Sequence, residues 1–565
     1  MHSLKNLFLC ALTLVFVCSC KTQLMPMRNS EKCSGASDVC ILGMRTFGTG
    51  DASKSKTIEI FLQNRSGKIL TVDDLKIDGK VLRNAGMASS EDLRQFGFSQ
   101  NHAEQTVNNH KDCAGVRWWQ IYPSYSMQEG DVVSLQINSR KLPIGNNIEV
   151  GFKNGTSAFL KMPMLYSSQC HVHYIAFGAD GKSAVAKWRG KCPVSVRING
   201  QLADFVVLKR QNNSGTGGMD IILPFGVKTA DSLFFEFKYS DGTCQQFLTR
   251  VLSGISLEAP YGDKDTVPLP QKINFEFGFD SVLSIHRLPF DVACIDARAG
   301  ISGYSANDCL TERSKMFNRN PHLLSGMDFC TARYDDMWNI YAPMADVVYI
   351  KPYSIHWGRN KKRFIEEELD MVSRIVKNVF PRPVIWIPER FHGGGRALSG
   401  SEFEQLFLSN LLLGSRGMRC HHWINDEVAP FKNNISFKKS LSKSLALVNN
   451  HRHKFDKVIP YGVSYLHNGR LSVVESWCGE DGVLLLFRNL NCCKPEKYLY
   501  SEGEADVCYF YTIPEWLNPC SVEDLTGKRL VNWTKCGDVM RLTIGNIPTC
   551  RLIWIKNTKQ MRREK

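Results

Sequence analysis

The run Pro383-Val384-Ile385-Trp386-Ile387-Pro388-Glu389-Arg390-Phe391, then a helical stretch, then Gly414-Ser415-Arg416-Gly417-Met418-Arg419-Cys420-His421-His422-Trp423, constrains this chain more than any other segment. The first run reads as a buried strand that ends on a carboxylate. A helix crosses over, and the second run reads as a strand that ends on an aromatic. Strands joined by a helical crossover lie parallel in one sheet. In a (β/α)8 barrel the C-terminal ends of such strands face the active site, which makes Glu389 a candidate for chemistry.

The surrounding sequence keeps the same rhythm. Phe290 to Asp296 is strand-like and ends acidic, and a helix-like stretch follows around Asp308–Phe317. Leu323–Asp328 and Asp346–Ile350 read as strands, with a helical Tyr334–Tyr341 between them. Phe364, Leu369, Val372, Ile375 and Val376 mark one face of an amphipathic helix, with Glu366–Glu368 toward water. Ser401 with Glu404 forms a capping box before Phe403, Leu406, Phe407, Leu411 and Leu412. A last helix runs from about Ser436 to His453. Alternating β and α units predict a parallel sheet, here a TIM-barrel-like domain over 271–460. That segment is short beside a typical barrel of ~250 residues, so some units are expected to be truncated.

The flanks have a different texture. Turn dipeptides Asp78-Gly79, Asn154-Gly155, Asn199-Gly200 and Asp241-Gly242 punctuate short alternating runs, which predicts β-sandwiches at 57–165 and 166–262. Trp118-Trp119 falls on a strand of the first, either in its core or stacking on sugars. Leu257–Gln271 carries Pro260, Pro268 and Pro270 and reads as a linker. Val473-Val474-Glu475, Gly482–Phe487 and Leu552–Ile555 predict a C-terminal β-sandwich over 463–558. The expected fold class is therefore multidomain: all-β modules on either side of an α/β domain.

Residues 1–20 read as a leader. Lys5 gives a positive start, and Leu7–Val17 is apolar but too short for a usual membrane span. Val17-Cys18-Ser19-Cys20 resembles the bacterial lipobox, which implies lipidation at Cys20; Lys21 after it leans toward the outer membrane. An ordinary secretory signal is the alternative. Residues 21–56 read as a polar tether, and the expected address is the bacterial cell envelope, lipid-anchored. Three of the 20 cysteines lie in the leader, which leaves 17, and an exported compartment permits disulfides such as Cys33–Cys40.

Seventy Lys plus Arg against 55 Asp plus Glu give a net charge of +15, spread along the chain. This is either an ordinary basic surface or an attraction to anionic partners, such as acidic or sulfated glycans and lipid headgroups. No nucleic-acid-binding motif is present, and a nucleic-acid partner is not expected.

Between Asn320 and Trp423 the chain resembles multidomain bacterial glycoside hydrolases and their barrel-containing relatives. The resemblance rests on Asn320-Pro321-His322 before a strand and on Asp346-Val347-Val348 leading into Pro352-Tyr353-Ser354-Ile355. It continues in Pro383–Phe391 and Gly414–Trp423. It implies hydrolysis of O-glycosyl bonds in a polysaccharide or oligosaccharide. Lys351 stands where relatives often carry Asp, and Ser354 where they carry Pro. These departures point to a changed substrate or to a degenerate, non-catalytic barrel that binds glycan or has a structural role in the envelope.

Glycosidic cleavage usually needs two carboxylates, one donating a proton and one acting as nucleophile or base. Glu389 is the leading residue, with Asp296 and Asp328 as partners at neighbouring strand ends. A structural ion pair with Arg390 or Lys351 is the plain alternative for Glu389. Asp346 begins its strand and so faces the opposite rim, where residues serve stability. Lys351, Tyr353, Trp357, His392, Arg396, His422 and Trp423 are candidate substrate contacts.

Two other chemistries are weaker. His392-Gly393-Gly394-Gly395 matches an esterase oxyanion loop, but the chain has no Gly-x-Ser-x-Gly elbow. Cys420-His421-His422, Cys170 with His173, and His451 with His453 lack a third ligand, so neither a metal nor a cofactor is expected.

Overall fold

A computed structural model describes residues 38–48, 56–82, 116–139, 147–161, 171–210, 213–258, 285–291, 320–329, 341–352, 364–388, 398–419, 435–466, 470–490 and 504–558, with 310, 313–314, 317–318 and 338. The first module is two antiparallel sheets. Val39–Thr46, Lys56–Asn64, Val132–Ser139 and Val116–Tyr122 form one, and Leu70–Ile77 with Asn147–Phe152 lies at the centre of the other. Their inner faces share a core containing Ile58, Ile60, Leu70, Val72, Trp119, Leu135 and Ile148. Val39–Thr46 lies inside 21–56, which the sequence reading assigned to a tether. It pairs along nearly its whole length with Lys56–Asn64, and a backbone ladder outweighs its weak hydrophobic alternation.

The second module is one antiparallel path of seven strands between Val172–Phe177 at one edge and Cys244–Arg250 at the other. Its edges meet. The Gln245 side chain accepts from the Val172 N–H at 2.8 Å and donates to the Val172 carbonyl at 2.7 Å. The sheet therefore curls around its own core, where Phe235 and Phe247 stack at 5.0 Å. At the Asn199-Gly200 hairpin both residues take positive φ, 48° and 81°, as a type I′ turn requires.

The third unit is a parallel sheet of six strands. They are Ser256–Glu258, Ile285–Asp291, Leu324–Phe329, Val347–Ile350, Val384–Trp386 and Ser415–Arg419. Their spatial order is the chain order, except that Ser256–Glu258 lies beside Ser415–Arg419 at the far edge. The sheet thus opens well before residue 271, where the second β-module was read to end and the linker to begin: Ser256-Leu257-Glu258 is a short strand whose signal the following prolines mask. Among the described residues no pairing joins the first strand to the second, so the closed TIM-barrel-like sheet expected from the sequence is not shown by them.

Helix Phe364–Asn378 covers the outer face. Glu368 on it is buried and accepts the Trp386 indole N–H at 2.7 Å, so of Glu366–Glu368 only Glu367 is exposed. Helix Gly400–Leu412 is buried on nearly every side, wedged between this sheet and the C-terminal module. On one side Trp386 lies 6.1 Å from Phe403; on the other Gln405 donates to the Asn489 carbonyl at 2.9 Å. Its capping box is Ser399 with Glu402, two residues before the expected pair, and Glu404 instead accepts from Lys443 at 2.8 Å.

The C-terminal module pairs a six-stranded sheet, from Val458–Leu466 to Arg529–Leu530, with a three-stranded one. Trp118 and Trp119 are both buried, in separate cores. Among the eight cysteines of the described residues (Cys40, Cys192, Cys244, Cys478, Cys508, Cys520, Cys536 and Cys550) no two are joined to each other. Cys33 lies outside the described residues. No described helix is long and apolar enough to cross a membrane.

Candidate functional site

On the concave face of the parallel sheet, side chains alternate. Val347, Tyr349, Ile385, Ile387 and Leu324 form an inner apolar cluster, while Val348, Ile350 and Trp386 pack outward among the helices. Above the apolar layer, at the C-terminal ends of the strands, the inner face becomes polar. Glu258, Tyr349, Lys351 and Arg419 lie there, each no more than 3% exposed.

Glu258 is the centre of this layer. Its Oε1 accepts from Ser256 Oγ at 2.9 Å, and the Tyr349 hydroxyl lies 2.9 and 3.0 Å from its two oxygens. Arg419, its register neighbour, brings Nε to 3.9 Å and stacks its guanidinium 5.0 Å from the Tyr349 ring centre.

The Tyr349–Glu258 bond also reports the shape of the sheet. Their strands are three places apart, separated by Val384–Trp386 and Ser415–Arg419. In a flat sheet three spacings span roughly 14 Å, beyond the reach of a tyrosine side chain. The sheet is therefore strongly curled, and the bond crosses its hollow. Two glycines permit this. A Cβ at Gly326 would come within 2.3 Å of the Tyr349 ring, and one at Gly417 within 1.8 Å of the Ser256 carbonyl oxygen.

Of the catalytic and substrate-contact candidates named from sequence, two fall among the described residues. Lys351 is buried directly after Ile350, within this layer. Asp328 occupies the register position between Asp291 and Tyr349 on neighbouring strands. Glu389, Asp296, Tyr353, Trp357, His392, Arg396, His422, Trp423 and Cys20 lie outside the described residues. Glu258, Tyr349 and Arg419 were missed. Glu258 carries the same signal as Glu389, an apolar strand ending on a carboxylate, but Pro260 turned the reading toward a linker.

The opposite rim is a different environment. Asp346 is fully buried and accepts from Tyr122 Oη at 2.7 Å, Arg250 Nη1 at 2.9 Å and the Ser325 N–H at 2.7 Å. Burial disfavours its charge, but the Arg250 and Arg313 guanidiniums outweigh burial and hold its carboxyl at about 2. Burial pushes the Tyr122 phenol upward, so it remains a donor. These contacts tie the two β-modules to the parallel sheet. A cleft of about 460 Å³, lined by Arg65, Asp131, Asn199, Phe234, Glu236 and Phe317, lies between the two β-modules; none of the four polar-layer residues lines it. Among the described residues no three His, Cys, Asp or Glu side chains gather as a metal would need.

No family model matches the chain, and no curated protein matches it. Solved structures with partial likeness include the α-fucosidase of Thermotoga maritima, at 9% identity, TM-score 0.25 and coverage of 44% of this chain and 49% of that one. The α-amylase of Geobacillus thermoleovorans complexed with acarbose aligns at 9% identity and TM-score 0.33, over 51% and 62% of the two chains. A protein described as a glycoside hydrolase aligns at 13% identity and TM-score 0.31, over 49% and 65%. The chain thus spans between about half and two thirds of these proteins. Likenesses this low carry no argument about the site, which rests on its own geometry.

Proposed function

We propose that this chain is an exported, lipid-anchored protein of glycoside-hydrolase type that acts on a polysaccharide at the C-terminal face of its curled parallel sheet. The observation that carries this reading is the Glu258–Tyr349 bond across the hollow of the sheet. It supports both a barrel-like curl and a buried carboxylate at a strand end, where barrel enzymes carry their chemistry. In this reading Glu258 is the second carboxylate, acting as nucleophile or base, and Glu389 donates the proton to the leaving oxygen. Asp328 and Asp296 are the other positions from which a second carboxylate could come. Lys351 and Arg419 add positive charge at the same rim, which suits an acidic sugar.

A second reading has a specific observation behind it. Lys351 is buried where the resembled enzymes often carry Asp, and this favours a degenerate barrel that binds glycan without cleaving it. One experiment separates the two. The mature chain, Glu389→Gln and Glu258→Gln are incubated with a glycan panel that includes anionic polymers, and reducing ends and binding are measured together. The enzyme reading expects wild-type turnover and its loss in Glu389→Gln with binding retained. Turnover that survives Glu389→Gln removes that residue from the chemistry. Binding without turnover in all three supports the second reading, and no binding to any glycan overturns both.

A further inference from the structure

The cleft between the two β-modules lies apart from the polar layer of the parallel sheet. Its bottom is a small apolar cluster, separate from the larger cores, in which Phe234 and Leu248 of the second module pack with Phe61 and Tyr122 of the first. Leu42, Val132 and Phe317 are half-buried and line it as well. The hollow, of about 460 Å³, is of a size that encloses small organic ligands, and such pockets recur where modules meet.

Both walls are fixed. On the first module the turns on either side of the cleft lock together: the Gly130 N–H donates to the Asn64 carbonyl at 2.9 Å, and the Asn64 N–H to the Asp131 carbonyl at 3.2 Å. On the second module the Asn199-Gly200 turn is tied to the strand behind it, because Asn199 Oδ1 accepts from the Phe234 N–H at 2.8 Å. Gln246 Nε2 spans the junction, donating to the Leu42 carbonyl at 3.2 Å and to Glu236 Oε1 at 3.1 Å. The cleft is therefore preformed.

Its polar groups are only half used. Arg65 donates through Nε to Gln63 Oε1 at 3.1 Å, and Asp131 accepts through Oδ2 from the Gln128 N–H at 2.7 Å. Glu236 accepts through Oε1 alone. Among the described residues the Arg65 Nη groups, Asp131 Oδ1, Glu236 Oε2 and the Ser232 hydroxyl meet no partner, and Arg65 pairs with neither carboxylate. A guanidinium and two carboxylates thus line one hollow without neutralising one another. A ligand that fits must donate and accept around its edge and present an apolar face to the bottom.

We propose that this cleft binds one or two pyranose units of a neutral glycan. The C–H face of the ring lies on the Leu42, Phe234 and Phe317 side chains. Its hydroxyls, each both donor and acceptor, donate to Asp131 and Glu236 and accept from Arg65. Two carboxylates against one guanidinium disfavour an acidic sugar. The cleft thus selects a different unit from the rim of the parallel sheet, where Lys351 and Arg419 outnumber Glu258. It holds glycan whether or not that sheet is catalytic.

The test is calorimetric binding to the mature chain, with cellobiose, maltose, lactose, diacetylchitobiose and an acidic diuronate as probes. Wild type is expected to bind at least one neutral disaccharide and to ignore the diuronate. Ser232→Trp, at an exposed position on the wall, fills the cleft and should abolish that binding. Glu236→Gln and Arg65→Met should each weaken it by about tenfold, the loss of one charge-assisted hydrogen bond. Lys238→Gln, exposed on the same strand as Ser232 but outside the cleft, serves as control and should bind as wild type. Thermal unfolding shows which variants are folded; if Ser232→Trp is not, the Glu236→Gln, Arg65→Met double variant decides. Neutral-sugar binding that survives in folded Ser232→Trp or in the double variant overturns the site. Preference for the diuronate overturns the neutral-glycan assignment, and no sugar binding by wild type overturns both.

Discussion

Arg250 Nη1 lies 2.9 Å from Asp346 Oδ2 across the junction of the second β-module and the parallel sheet, and both side chains are essentially buried. Asp346 also holds Tyr122 from the first module and Ser325 from the neighbouring strand. Removing the carboxylate strands Arg250 and Arg313 without their counter-charge. Asp346→Asn should therefore destabilise the protein by about 3–5 kcal/mol in chemical denaturation. The pH dependence has a definite sign. A carboxyl held at about 2 in the folded state and near ~3.9 unfolded stabilises fully above pH ~4 and loses that contribution as pH falls toward 2. Wild type should thus shed about 2–3 kcal/mol more than Asp346→Asn across that acid window. Parallel acid-unfolding curves for the two would contradict this account.

The bond between Tyr349 and Glu258 makes a different demand. Tyr349→Phe keeps the ring against Gly326 and removes only the donor, so it should cost about 1–3 kcal/mol, the penalty for leaving a buried acceptor underserved. Gly326→Val acts from beneath. Even its Cβ would lie 2.3 Å from the ring, forcing the phenol out of line, and its destabilisation should exceed that of Tyr349→Phe. Urea denaturation of the two variants checks the order. If Gly326→Val proves the milder, the close approach of Gly326 and Tyr349 is not what shapes the hollow.

What the sequence disclosed follows from how each element is stabilised. The Val384–Trp386 strand is buried on both faces, so a continuous apolar run marked it, and the helix that follows was evident from its period. Ser256–Glu258 was hidden because the strand is only three residues long, is held by its register with Gly417–Arg419, and is followed by Pro260, which reads as a linker. Glu366–Glu368 were read as a solvated face, since charge alone does not reveal that Trp386 carries an indole N–H needing an acceptor. Asp346 was legible as a rim residue from its position at the start of a strand. Its partners Tyr122 and Arg250 were not, being 224 and 96 residues away in the chain.

The described cysteines give a chemical prediction. Cys520 and Cys536 are exposed, whereas Cys478 and Cys550 are buried, and burial raises the Cys478 thiol far above its ordinary range. Thiolate is the reactive form, so alkylation of the native protein should mark Cys520 and Cys536 first. Cys478 and Cys550 should react only after denaturation. Peptide mapping by mass spectrometry reads this directly, and a disulfide-linked peptide containing any of these four would refute the assignment.

Glu475 and Arg210 join the C-terminal module to the second β-module. Arg210 Nη2 lies 2.6 Å from both carboxylate oxygens, with its guanidinium 4.6 Å from the Tyr461 ring centre, while Tyr511 and Trp477 each donate to Glu475 at 2.9 Å. Glu475→Ala leaves three donors facing an empty acceptor position in a largely buried seam. Arg210 retains some solvent access, at 23% of its side chain, so part of the penalty can relax. The expected loss is about 2–4 kcal/mol, toward the low side of a fully buried broken pair. Adding Arg210→Met should recover a portion, because the stranded cation leaves and an apolar chain fills the space between Tyr461 and Tyr511. A double-mutant cycle in urea therefore expects a coupling energy of at least about 1 kcal/mol. Strict additivity would mean that the aromatic rings, rather than the ion pair, hold the two modules together.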